Sequence, residues 1–206
     1  MRIELEGVAK RFRMEWILRQ VNLQMESGHS YAISGPNGSG KSTLLKILAG
    51  HLTPSRGKVA FSIGGNTLPK EEIYQHLCLA APYIELIEEF TLKEALHFHQ
   101  GFKPFLDGLG PQDIIQLLGL EKSTHKTVRD FSSGMRQRLK LALALCSQAN
   151  ILILDEPTSN LDAQGVEWYR ALIDTYARDR LLIVASNVEV DFDFCEERID
   201  VTQFKV

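Results

Sequence analysis

Cysteine is scarce: the 206 residues hold three, Cys78, Cys146 and Cys195, with no CxxC pair. A sparse, odd set excludes a disulfide framework and suits a reducing compartment. Long apolar runs are missing as well. The longest, Leu141 to Cys146, has six residues, against about 18 for a bilayer crossing, so no spanning segment is expected. The opening Met1-Arg2-Ile3-Glu4-Leu5-Glu6 has no apolar core of the kind a secretory signal carries. A strong excess of charge of one sign is lacking too. With 23 Lys and Arg against 26 Asp and Glu, the net charge is −3, which gives no global attraction to nucleic acid or anionic lipid. What remains is ordinary: 44% apolar and 24% charged residues place the chain among globular proteins. At about 150 residues per domain the length predicts one domain, and the whole composition predicts a cytoplasmic protein.

Periodicity divides the chain. Ile3 and Leu5, then Val21, Leu23 and Met25, alternate with polar neighbours and predict half-buried antiparallel strands. Tyr31-Ala32-Ile33 and Val59-Ala60-Phe61 read as further strands, and Leu44, Leu45, Ile47 and Leu48 as a helix closed by Gly50. In the middle third, Thr91-Leu92-Lys93-Glu94 forms a capping box for a helix to about Gln100. Pro111 opens a second helix ending at Gly119, and Ser132 or Ser133 caps a third. Ile151–Leu154 and Leu181–Ala185 are fully apolar strands, with a helix over Val166, Tyr169, Leu172, Ile173 and Tyr176 between them. Apolar strands alternating with helices predict an α/β core with a parallel sheet.

Gly35-Pro36-Asn37-Gly38-Ser39-Gly40-Lys41-Ser42 fits GxxxxGK[ST] without a mismatch, after a short apolar strand and before a helix. Glycines let the backbone curl so that successive N–H groups face phosphate oxygens. The following helix, through Lys41, Ser42 and Thr43, adds its positive N-terminal end. Lys41 is expected to neutralise β/γ-phosphate charge and Ser42 to ligate Mg²⁺. Asp155 and Glu156 close an apolar strand at its carboxyl end, where ligands of parallel sheets gather. Asp155 is expected to hold the Mg²⁺ and Glu156 to polarise the attacking water.

Phe131-Ser132-Ser133-Gly134-Met135-Arg136-Gln137-Arg138 precedes Asp155 by about fifteen residues. With Asp155-Glu156-Pro157-Thr158, Ser159-Asn160-Leu161-Asp162 and the Leu44–Gly50 run, this order resembles the ATP-binding subunits of ABC transporters. The resemblance runs from Ile3 to about Val201. It implies a P-loop NTPase core with a mainly parallel sheet, an N-terminal antiparallel β subdomain and an inserted helical subdomain at about 67–145, all one ABC ATPase domain over 1–206. It further implies a head-to-tail homodimer with two ATP molecules sandwiched between protomers. Each rests on the Walker A loop of one protomer and on Ser132, Ser133 and Gly134 of the other, with Asp162 in the D-loop. Adenine would stack on an aromatic upstream of Walker A, with Phe12 the first candidate and Trp16 the second.

The sequence departs from the family at three places. The signature reads FSSGM, with Ser133 and Met135 for the usual glycine and glutamine, which looks like a subset of exporter ATPases. The stretch Ala80-Ala81-Pro82-Tyr83-Ile84-Glu85 lacks the Q-loop glutamine, for which Glu85 is a substitute candidate. Asn187 follows Ser186 where the family has its switch histidine. The resemblance therefore implies an ATPase, slow for want of that glutamine and histidine, in which Asn187 takes the switch position. It would power a separately encoded transmembrane permease, docked on Thr67–Leu120, and would reach the cytoplasmic membrane only through that partner. The alternatives are a soluble ATP-driven switch and a subunit that binds ATP with weak hydrolysis. No nucleic-acid partner is expected.

Overall fold

The computed structural model describes residues 1–205. By contacts they divide into two compact units: Met1–Leu79 with Ala149–Glu156 and Asp179–Val206, and Ala80–Gln148 with Pro157–Arg178.

The first unit holds two sheets. Strands β1 (Arg2–Phe12), β2 (Glu15–Glu26), β4 (Arg56–Ile63) and β5 (Asn66–Leu68) form an antiparallel sheet in the order β2-β1-β4-β5. Alternation places Ile3, Leu5, Val21 and Met25 on its buried side, and a register shift at Gln20 (φ +51) brings Leu18 there as well. The second sheet contains β3 (Ser30–Ser34), β6 (Leu77–Ala80), β7 (Ile151–Asp155), β8 (Leu181–Ala185) and β9 (Glu197–Asp200), in the order β6-β7-β8-β3-β9. The pairs β7–β8, β8–β3 and β3–β9 are parallel. Every residue of β7 and β8 is buried, as expected for inner strands covered on both faces. Each fully buried Ile, Leu or Val stabilises the fold by about 1.5–3 kcal/mol relative to exposure. Helix α1 (Lys41–Leu48) follows β3 and buries Leu44, Leu45, Ile47 and Leu48 in the same core. It ends as expected, with Gly50 at φ +73 donating to Ile47 O.

The second unit is helical. Helices α2 (Leu92–Phe102), α3 (Pro111–Leu118), α4 (Ser133–Leu145) and α5 (Ala163–Tyr176) pack around Leu92, Leu96, Ile114, Leu118, Leu139 and Ala142. The expected caps are present. Thr91 Oγ1 accepts from Glu94 N–H while Glu94 Oε2 accepts from Thr91 N–H. Pro111 stands in the first turn of α3, and Gly119 closes it in the left-handed conformation. This unit differs in extent from the 67–145 insertion of the sequence reading. Residues 67–79 cluster with the first unit, and Pro157–Arg178 joins the helical one. The reason is packing, since α5 lies against α4 and Trp168 Nε1 donates to Leu117 O at 2.8 Å.

Candidate functional site

The turn between β3 and α1 is built by its glycines. Gly35, Gly38 and Gly40 have φ of +144, +74 and +107, conformations that side chains rarely tolerate. A Cβ on Gly35 would lie 2.8 Å from Ser39 Oγ and 2.9 Å from Val201 Cγ1. The loop therefore closes around a space that only glycine leaves open. No side chain caps α1 at Gly40, so its first amides are available to an anion. Lys41 is 6% exposed, and its Nζ donates to Gly35 O at 2.8 Å. Pro36, Asn37, Ser39, Ser42 and Thr43 complete the loop, and Ser39 N–H donates to Pro36 O at 3.1 Å.

At the end of β7 stand the two carboxylates. Asp155 is 2% exposed. Burial pushes its carboxyl above the ordinary range, and Glu156 adds repulsion, while the Ser42 hydroxyl and the ammonium groups of Lys41 and Lys46 pull it back. Its Oδ1 is buried with no hydrogen-bond partner. A buried, unpartnered carboxylate oxygen beside a serine hydroxyl fits a hard divalent cation, which takes oxygen ligands. No group of three His, Cys, Asp or Glu side chains is placed for a metal among the described residues.

Glu156 has φ +49, an uncommon conformation for a side-chain-bearing residue and one that gathers at functional sites. Its N–H donates to Ala185 O at 2.8 Å. Its carboxylate lies 3.7 Å from Lys41 Nζ and accepts from Ser186 Oγ at 2.9 Å. Asn187 Nδ2 donates to Asn37 Oδ1 at 3.5 Å. The first unit thus brings Gly35–Thr43, Asp155, Glu156 and Asn187 together. Phe12, 47% exposed, closes β1 with Lys10 Nζ 5.1 Å from its ring centroid. Trp16 instead lies among the guanidinium groups of Arg19, Arg56 and Arg11 at 4.9, 5.1 and 5.3 Å.

The helical unit holds the other candidate residues. Ser132 caps α4, its Oγ accepting from Met135 N–H at 3.2 Å. Ser133 and Gly134 form the first turn, where a Cβ on Gly134 would come 3.1 Å from Asn160 O. Asp162 caps α5 by accepting from Gly165 N–H at 2.7 Å, and lies 3.8 Å from Arg138. Buried Gln137 Nε2 donates to Pro157 O at 2.7 Å. In place of a Q-loop glutamine, the Ala81–Glu85 stretch is tied to α4 through Lys140 Nζ, which donates to Pro82 O at 3.3 Å. Glu85, Glu88, Arg136 and Lys140 line a groove of about 390 Å³ with Ile84 and Leu86.

The sequence profile of the ABC transporter family matches residues 18–159. The chain belongs to the ABC transporter family. Among curated relatives, the lantibiotic transport ATP-binding protein SrtF of Streptococcus pyogenes is 30% identical over 190 residues, 90% of this chain and 79% of SrtF. YcbN of Bacillus subtilis, an uncharacterized ABC transporter ATP-binding protein, is 26% identical over 201 residues. That is 97% of this chain and 66% of YcbN. The dimeric structure of a bacterial ABC transporter cassette superposes with a TM-score of 0.79 at 23% identity, covering 97% of this chain and 95% of that one. The fold is therefore the P-loop NTPase cassette of ABC ATPases, and the glycine loop lies within the part of the chain that the family profile matches. The sequence reading did not give roles to Ser186 and Gln137. A lone serine ending an apolar strand, and a glutamine on a helix, carry no signal until the strand end and the helix face are placed.

Proposed function

We propose that this ABC cassette binds ATP with Mg²⁺ and hydrolyses it as a head-to-tail homodimer that powers a separately encoded permease of exporter type. The observation that carries the reading is the set of charges gathered from two chain segments: Lys41 at the end of the Gly35–Gly40 turn, Glu156 3.7 Å from it at the end of β7, and Asp155 with an unpartnered oxygen. Lys41 offsets phosphate charge. Ser42 and Asp155 would hold the metal, which would supply neutralisation of phosphate charge. Glu156 orients a water and takes its proton as the water oxygen bonds to the γ-phosphorus and the bond to the β–γ bridging oxygen breaks. Asn187, already aimed at Asn37, donates its amide to the γ-phosphate.

Ser132, Ser133, Gly134 and Asp162 of a second copy complete the site. The Ser132 Oγ accepts a bond from its own helix and keeps its proton for the nucleotide. Phe12 stacks on adenine, because its ring is half-exposed while Trp16 is already set among three guanidinium groups. An asparagine amide does not titrate near neutral pH, and Glu85 is no equivalent of a glutamine. Both support slow basal turnover, and the Ser132-Ser133-Gly134-Met135 signature supports an exporter-like subset.

The permease docks on the 67–120 region, where the groove with Glu85, Glu88, Arg136 and Lys140 offers both charges and an apolar floor. No helix among the described residues is long and apolar enough to cross a membrane, so membrane contact runs through that partner at the cytoplasmic face. The test pairs two variants. Lys41→Ala should lose most ATP affinity by calorimetry, and Glu156→Gln should bind ATP, turn over poorly and accumulate as an ATP-bound dimer by gel filtration. Parent-like affinity in the first, or a turning-over monomer in the second, would overturn the reading.

A further inference from the structure

Ser186 follows the last residue of β8 and is fully buried, at 0% exposure. Its hydroxyl has one proton to give, and Glu156 Oε2 accepts it at 2.9 Å. The same hydroxyl oxygen accepts from Val188 N–H at 3.0 Å, and Ser186 N–H donates to Ile33 O on β3 at 3.2 Å. The hydroxyl is thereby fixed in direction by backbone on both sides. On Glu156, the second carboxylate oxygen faces only the longer contact to Lys41 Nζ at 3.7 Å, and Lys41 is the group that phosphate would draw away. The backbone of Glu156 is pinned as well, through its N–H on Ala185 O.

We propose that Ser186 is a positioning residue for hydrolysis: its hydroxyl fixes the Glu156 carboxylate in the one orientation from which it can hold the attacking water once Lys41 engages phosphate. This rests on the reading of Glu156 given above. Without the hydroxyl, the flexible glutamate side chain samples other rotamers, and a misplacement of about 1 Å can lower a rate about 100-fold. Nucleotide binding does not pass through this bond, because the amides of the loop and Lys41 carry it.

The test is steady-state kinetics with ATP titration on the full chain for Ser186→Ala, Ser186→Thr, Glu156→Gln and the double variant Ser186→Ala/Glu156→Gln. Ser186→Ala should lower kcat about 10- to 100-fold with KM for ATP within about twofold. Ser186→Thr, which keeps the hydroxyl, should recover most of that loss. In the Glu156→Gln background, Ser186→Ala should change residual turnover by less than about twofold, since residues acting through one group are not additive. Parent-like turnover in Ser186→Ala alongside a silent Glu156→Gln would overturn the positioning role alone. Equal losses in both backgrounds, or a fall in ATP affinity matching the fall in kcat, would show a structural serine and overturn it too. Parent-like turnover in Glu156→Gln would remove the reading of Glu156 and this inference with it.

Discussion

Replacing Asp155 by asparagine should stabilise the nucleotide-free protein while removing its hydrolysis. The residue is 2% exposed, its Oδ1 has no partner, and burial dominates the forces on its carboxyl. A buried polar atom left unsatisfied costs about 1–3 kcal/mol, and more when charged. The amide keeps the bond from Ser42 and drops the charge, but brings an NH₂ that also lacks a partner and forgoes the attraction of Lys41 and Lys46. A net gain of about 1–2 kcal/mol is expected, or about 2–8 °C in melting temperature at roughly 2–4 °C per kcal/mol for a chain of this size.

Scanning calorimetry in EDTA without nucleotide measures it. The pH dependence has a fixed sign. Asp155 has a folded-state value raised above the ordinary 3.8, so its penalty is complete above that raised value. It shrinks as pH falls through it and vanishes below the unfolded value. The advantage of Asp155→Asn should therefore be largest near neutral pH and narrow on acidification. With MgATP the order should reverse, because a ligand at about 100 times its Kd adds about 2.7 kcal/mol and the variant forfeits the metal's share. A variant that melts at or below the parent in EDTA at neutral pH would refute the argument that an unsatisfied charge sits at this strand end.

Asn187→His should raise turnover with little change in ATP affinity, and Asn187→Ala should lower turnover by about tenfold or more; if neither differs from the parent, Asn187 does not sense the γ-phosphate. Phe12→Ala should raise KM for ATP about tenfold, the scale of one base–aromatic stack, and the opposite ranking of Phe12→Ala and Trp16→Ala would move the stacking role to Trp16. Gly35→Ala should destabilise the fold by about 1–3 kcal/mol and abolish nucleotide binding. The reason is that its φ is +144 and the added methyl meets Ser39 and Val201 within 3 Å; a soluble variant with parent affinity would refute the tight cradle.

The sequence alone determined what depends on neighbours along the chain. The P-loop, the capping box at Thr91, the αL stop at Gly119 and the apolar runs of β7 and β8 are local or periodic signals. Each was legible because backbone preference and hydrophobic period act over a few residues. The turn between β3 and α1 was legible for the same reason: its glycines, its lysine and its helix are contiguous. Tertiary structure decided whatever depends on residues far apart in sequence. Ser186 meets Glu156 across 30 positions because parallel pairing of β7 with β8 puts the two strand ends side by side. The unpartnered oxygen of Asp155 follows from burial by the whole sheet, not from its neighbours in the chain. The limits of the helical unit were illegible because α5 joins α4 by packing, and no local signal announces which helix another will choose. The same holds for the aromatic residues: Phe12 and Trp16 are equivalent as letters. Only the folded sheet places three arginines from three strands, Arg11 of β1, Arg19 of β2 and Arg56 of β4, around Trp16 and leaves Phe12 half-open.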